Sequence, residues 1–177
     1  MRVILSGANP GVRLFDGDAV TVFASVWVVD WSVRGAGAAV VLWHEGAVRV
    51  VSDVAALGAW LERDFTRHFP EAAGLAWPVP EVETATVDVR LDFGAGLVAR
   101  AGDIEVRMSG ILDRRYFQTD DFLLDAIPHG LRLVLAPVSE AAVSVAGRRL
   151  AGAPTVAEDG DSPTSSAFMT TAEVWLR

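Results

Sequence analysis

Residues 84–93, Thr-Ala-Thr-Val-Asp-Val-Arg-Leu-Asp-Phe, alternate without a slip between polar and apolar side chains. Thr84, Thr86, Asp88, Arg90 and Asp92 share one face, and Ala85, Val87, Val89, Leu91 and Phe93 share the other. A period of two is the repeat of an extended strand with one wet and one buried face. Gly94-Ala95-Gly96 then supplies a turn, and Leu97–Ala101 leads to a second turn at Gly102-Asp103. Beyond it Ile104, Val106 and Met108 alternate with Glu105, Arg107 and Ser109. Consecutive strands joined by short glycine turns predict an antiparallel meander.

The first third of the chain follows another pattern. Along Ala19–Trp31 one face would carry Val20, Val22, Ala24, Val26 and Val28, and the other Thr21, Phe23, Ser25, Trp27, Val29 and Trp31. Both faces are largely apolar, so this strand is expected to be covered on both sides. Ala38–Trp43 is similar and turns through His44-Glu45-Gly46 into Ala47–Ser52. One amphipathic helix follows, with Ser52 or Asp53 as its cap and Pro70 as its stop. Val54, Leu57, Leu61, Phe65 and Phe69 form its apolar stripe, with Glu62, Arg63 and Arg67 elsewhere. Packing that stripe on the outer face of the doubly apolar strands accounts for both patterns.

Leu131–Ala136, Ala142–Ala146 and Phe168–Leu176 read as further strands, and 147–166, rich in Gly, Pro, Ser, Thr and Asp, as a long flexible loop. The expectation is a mainly β single domain over 1–177. About ten strands would form an antiparallel barrel or strongly curved sheet with one helix packed on it. An α+β open sheet wrapped on the helix is the alternative. The architecture is similar to lipocalin-like barrels by fold analogy alone, with no motif behind it.

Composition removes several chemistries. The chain has no cysteine and no lysine, its basic residues all being arginine. Schiff-base and phosphate-gripping lysines, thiolate nucleophiles and cysteine-ligated metals are therefore excluded. A net charge of −8 makes this an acidic protein and argues against nucleic acid or an anionic membrane surface as partner. The apolar run after Arg2 is too short for a signal-peptide core. Ala19–Val29 falls well short of the roughly 20 residues of a membrane-spanning helix. A cytoplasmic location is the expectation.

The local motifs fail in context. Gly94-Ala-Gly96-Leu-Val-Ala99 matches a permissive dinucleotide fingerprint, but a strand follows it where a helix is required. His44, His68 and His129 have no metal-ligand spacing, so no metal and no cofactor are expected. Asp159-Gly-Asp161-Ser162 lacks the oxygen ladder and distal glutamate of a calcium loop.

Two features remain. Phe23, Trp27 and Trp31 would share a strand face, where they either line an apolar cavity or fill the core beneath the helix. Asp113–Asp121 holds the only tyrosine and the only glutamine. As a strand it places Arg114, Tyr116, Gln118 and Asp120 on one face and Arg115, Phe117, Thr119 and Asp121 on the other. It is then either an exposed charged edge or the polar wall of a wet cavity. In the second case Tyr116 and Asp120 are acid–base candidates, Arg114 pairs with a carboxylate or enolate, and Gln118 contacts ligand.

The expected function is binding of a small hydrophobic or aromatic molecule, with cofactor-independent isomerase, cyclase or lyase activity on that ligand as an extension. The alternative is a non-catalytic protein-interaction or homodimeric domain, in which the 51% hydrophobic content serves an interface.

Overall fold

Hydrophobic alternation in the first third becomes five strands: β1 (Arg2–Ala8), β2 (Gly11–Asp16), β3 (Ala19–Ser32), β4 (Gly37–His44) and β5 (Ala47–Ser52). They belong to a computed structural model that describes residues 1–159 and 161–177. Helix α1 (Ala55–Asp64) follows, then two 3-10 turns, Thr66–His68 and Pro70–Ala72. After it come β6 (Glu81–Thr84), β7 (Val87–Asp92), β8 (Gly96–Ala101), β9 (Ile104–Ile111), β10 (Arg115–Leu124) and β11 (Ile127–Val145). The chain ends with β12 (Arg148–Arg149), β13 (Val156–Asp159), β14 (Ser162–Ser165) and β15 (Ala167–Leu176).

Thirteen strands form one sheet along the path β6-β5-β4-β3-β1-β15-β11-β9-β8-β7, with β2, β10 and β12 paired beside it. Only β5 and β6 are parallel among the described ladders. The sheet curls into a partial ring and is not a regular barrel. Its two ends, β6 and β7, are joined by Ala85-Thr86, and no described ladder closes them. This corrects the expected barrel, and it also splits the expected 84–93 strand at the crossing. From Val87 onward the predicted meander β7-β8-β9 is present, with Val87 opposite Ala101 and Leu97 opposite Met108.

The sheet passes from β15 to β9 through β11, one long strand where two shorter ones were expected. Residues 129–137 pair with β15, and 138–145 pair with β9. Pro137 stands at the changeover. Having no N–H, it cannot donate to a ladder, and its carbonyl accepts from Leu112 instead (2.9 Å).

Both faces of β3 are covered, as its sequence demands. Val22, Ala24 and Val26 face an inner core that includes Leu97, Ala99, Val106, Val143 and Met169. Phe23, Trp27 and Val29 face a second core containing Leu57, Trp60, Leu61 and Phe65. Leu57, Leu61 and Phe65 are buried as the stripe predicted, each side chain contributing about 1.5–3 kcal/mol. Val54 is exposed.

The helix ends differ from expectation. Val54 is the N-cap residue, and no side chain caps it. Ser52 Oγ instead lies within donating distance of the Val54 carbonyl (2.8 Å) and the Ala38 carbonyl (3.0 Å), and Asp53 Oδ1 accepts from the Ala38 N–H of β4 (2.9 Å), so neither caps the first turn. The α-helix stops at Asp64, before Pro70, because Phe65 leaves helical geometry (φ −125°, ψ −72°). Within 147–166, expected as a loop, the chain forms β12 and the β13–β14 hairpin. Gly160, part of the rejected calcium-loop reading, lies outside the described residues.

Candidate functional site: a groove beside the 3-10 turns

The outer face of the sheet is not covered completely. Beside the 3-10 turns runs a groove of about 540 Å³. Its floor comes from alternate residues of adjacent strands: Phe23, Ser25 and Trp27 of β3, Phe168, Thr170 and Ala172 of β15, and Leu131, Leu133 and Leu135 of β11. One wall is Phe65, Phe69, Pro70 and Glu71; the other is Arg115, Phe117 and Phe122 of β10. Thr164 and Ser165 of β14 border it as well.

The first wall is pinned at two points. Trp27 Nε1 donates to Thr66 Oγ1 (3.0 Å), and both side chains are buried. The Trp27 ring meets Phe65 edge-on (5.6 Å between centroids) and Phe69 at a tilt (6.0 Å). Behind the wall Glu62, 1% exposed, receives two hydrogen bonds from Arg67 (2.9 and 2.7 Å) and one from Trp77 Nε1 (2.8 Å). A buried carboxylate needs such partners, and here they tie the helix to the segment that follows it.

The floor carries one polar patch. Asn9 Nδ2 donates to Ser25 Oγ (2.8 Å) and to the Val26 carbonyl (2.9 Å), while Thr170 Oγ1 donates to the Asn9 carbonyl (2.8 Å). Among leucine and aromatic side chains these are the groups that can orient a ligand.

The proposed aromatic row is broken. Phe23 and Trp27 are buried and lie on the groove floor, but Trp31 is 51% exposed and outside it. Ser6 pairs with Trp31 while Gly7 pairs with Val29, so β3 carries one extra residue at that point. That bulge redirects the side chain after it. The two readings of Phe23 and Trp27 are also not exclusive, since they pack under the helical segment and line the groove.

Among the described ladders β10 pairs with β11 alone, which makes it an edge strand. Arg115 and Phe117 stand opposite Leu135 and Leu133, on the groove face. Tyr116 and Gln118 stand opposite Val134 and Arg132, on the other face. The Tyr116 hydroxyl donates to Gln118 Oε1 (2.7 Å), and Tyr116 is among the residues that line the groove. Asp120 is exposed and outside the groove lining. Arg114 is exposed and stacks over Phe93, 5.0 Å from its centroid. Of Arg114, Tyr116, Gln118 and Asp120, the structure therefore brings only Tyr116 to the groove. The neighbouring face of the same strand, with Arg115 and Phe117, faces it. A second bulge, between Thr119 and Phe122, adds Phe122 to that wall.

Arg115 is held by Asp113 (Nη1 to Oδ2, 3.0 Å). On the opposite face the Arg132 guanidinium is raised above its ordinary pKa, first by its hydrogen bond to Glu173 and secondarily by Tyr116. Among the described residues no group of three or more His, Asp or Glu side chains is placed to hold a metal ion.

Sequence reasoning missed Phe122, Leu131, Leu133 and Phe168. Leu131, Leu133 and Leu135 do alternate with Arg132, Val134 and Ala136, so a period-two face was visible. What covered that face was not.

Comparison with known proteins finds no matching family model, no similar curated protein and no similar solved structure.

Proposed function

We propose that this protein binds a small, mainly apolar molecule in the groove beside the 3-10 turns. The observation that carries this reading is the lining itself: Phe, Trp and Leu side chains from five segments around one small hydrogen-bonded patch, Asn9-Ser25-Thr170. A volume of about 540 Å³ lies within the range of small-molecule sites. Apolar floor residues supply affinity by leaving water, and the polar patch supplies orientation.

Turnover of the ligand by a cofactor-independent route is an extension of this reading. Tyr116, Asp120 and Arg114 are not assembled to perform it, so binding is the function the geometry supports best.

The test is titration with the neutral fluorophore N-phenyl-1-naphthylamine. Native protein should bind it saturably at one site, and Leu133→Arg, which puts a charge on the floor, should lose that binding while remaining folded. Absence of saturable binding, or equal binding by the variant, overturns the reading.

A second reading is pairing of two copies through β10. The free edge of this strand and the exposure of Tyr116 (63%), Phe117 (50%) and Leu123 (56%) favour it. Light scattering decides it. A dimer that Phe117→Glu dissociates supports pairing, and a concentration-independent monomer contradicts it.

A further inference from the structure

Arginine is the only permanent cation in this chain, and carboxylates outnumber it 23 to 15. Most half-buried arginines have found one of those carboxylates: Arg49 holds Asp103, Arg67 holds Glu62 and Arg115 holds Asp113. Arginines without an ion pair among the described residues are Arg2, Arg13, Arg34, Arg114, Arg148, Arg149 and Arg177. All of them except Arg13 are exposed to water.

Arg13 is half-buried and unmatched. Its Nε is out of reach of water and has no hydrogen-bond acceptor. Its guanidinium lies 5.5 Å from the centre of the Phe15 ring, which answers part of the charge but accepts no hydrogen bond in the ring plane. A buried N–H without an acceptor is costly, and native proteins rarely leave one so without reason.

Arg13 lies next to the groove without being one of its lining residues. Val12 and Leu14 face the inner core, so Arg13 stands on the opposite, groove-bearing face of β2. On that face Gly11 precedes it, and its cross-strand neighbour is Phe23; both line the groove. The backbone of Arg13 is bonded to Ser166, next to Thr164 and Ser165 on the groove border (N–H to the Ser166 carbonyl, 2.9 Å). The unmatched cation thus sits one pleat beyond the end of an apolar channel.

We propose that Arg13 is the anion subsite of the groove and that the ligand is a carboxylate-headed amphiphile. Its head meets the Arg13 guanidinium, and its chain lies along Phe168, Leu135 and Leu133 toward Leu131. A carboxylate matches the paired Nη N–H groups of arginine, and on Arg13 it is this outer edge, not the sealed Nε, that no carboxylate of the protein occupies. Arg115 does not compete for the head group, because Asp113 already neutralises it. The proposal rests on the groove being a ligand site.

Displacement of N-phenyl-1-naphthylamine by decanoate and by decanol tests it on the native protein. Decanoate should bind about tenfold or more tightly than decanol. Arg13→Gln should abolish that preference while decanol affinity stays within about twofold, because the variant removes only the charged head contact. Arg13→Lys should keep part of the preference, and Arg114→Gln should change neither affinity. Equal affinities in native protein, or a preference that survives Arg13→Gln, overturn the assignment. If decanol and the fluorophore bind and only the preference is missing, the groove reading stands and the anion subsite falls. If none of the three binds, both fall.

Discussion

Trp27, on β3, donates its indole N–H to the hydroxyl of Thr66, in the first 3-10 turn after α1, across 3.0 Å of buried space. The bond joins the floor of the groove to its wall, so the shape of the site depends on it. Thr66→Val removes the acceptor with little change of volume and leaves a buried N–H unmatched. The expected loss is about 1–3 kcal/mol in urea denaturation, with weaker fluorophore binding. Unchanged stability would show that the bond does not hold the wall.

Glu62 and Arg67 form the second tie. Glu62→Gln keeps the shape but removes the charge that Arg67 and Trp77 were placed to meet. Breaking a buried pair costs about 3–5 kcal/mol, and here Arg67 is one-third exposed, so about 2–3 kcal/mol is expected. Arg67→Met should cost at least as much, since it strands the carboxylate. Thermal or urea unfolding measures both.

Gly130, on β11, pairs with Trp175 of β15, and the indole lies against the glycine where a Cβ would stand. Gly130→Ala forces the ring away and is expected to cost about 1–3 kcal/mol by overpacking. The near-ultraviolet circular dichroism of the tryptophans should change with it. A neutral effect would mean that the ring moves freely.

Acid should weaken one specific tie. Arg49, on β5, reaches both Glu83 of β6 (3.2 Å) and Asp103 in the β8–β9 turn (2.7 Å), linking strands near the two ends of the sheet. Its hydrogen bond holds the Asp103 carboxyl below the usual aspartate range. The folded state therefore binds this proton less readily than the unfolded chain does. The tie contributes fully above the ordinary aspartate value of about 3.9 and is lost as the pH falls through the lower folded value. Urea midpoints measured from about pH 5 to pH 2 should fall more steeply for native protein than for Asp103→Asn. Parallel curves would contradict the linkage.

Period-two patterns were readable because they record burial directly. Val87, Val89 and Leu91 face inward, and the two apolar faces of β3 meet two different cores. The helix stripe through Leu57, Leu61 and Phe65 was legible for the same reason. Whether the sheet closes was not, because it depends on the two-residue crossing at Ala85-Thr86 and on the change of partner strand at Pro137, which are long-range matters. The site suffered from bulges. One extra residue in β3 turned Trp31 to solvent, and one in β10 brought Phe122 into the wall. Strand parity predicts faces only until the register slips. On β10 the polar residues drew attention to the face carrying Tyr116 and Asp120, while the groove uses the face carrying Arg115 and Phe117. Arg13 carried no local signal at all, because its lack of a partner is visible only in three dimensions.

The most direct test of the central claim is native mass spectrometry of freshly purified protein, alongside Leu133→Arg prepared identically. The account predicts a native chain carrying a discrete small-molecule mass, or taking up decanoate at one equivalent, and a variant that does neither. A bare native chain that takes up no decanoate and no neutral fluorophore, or uptake unchanged in Leu133→Arg, would contradict it.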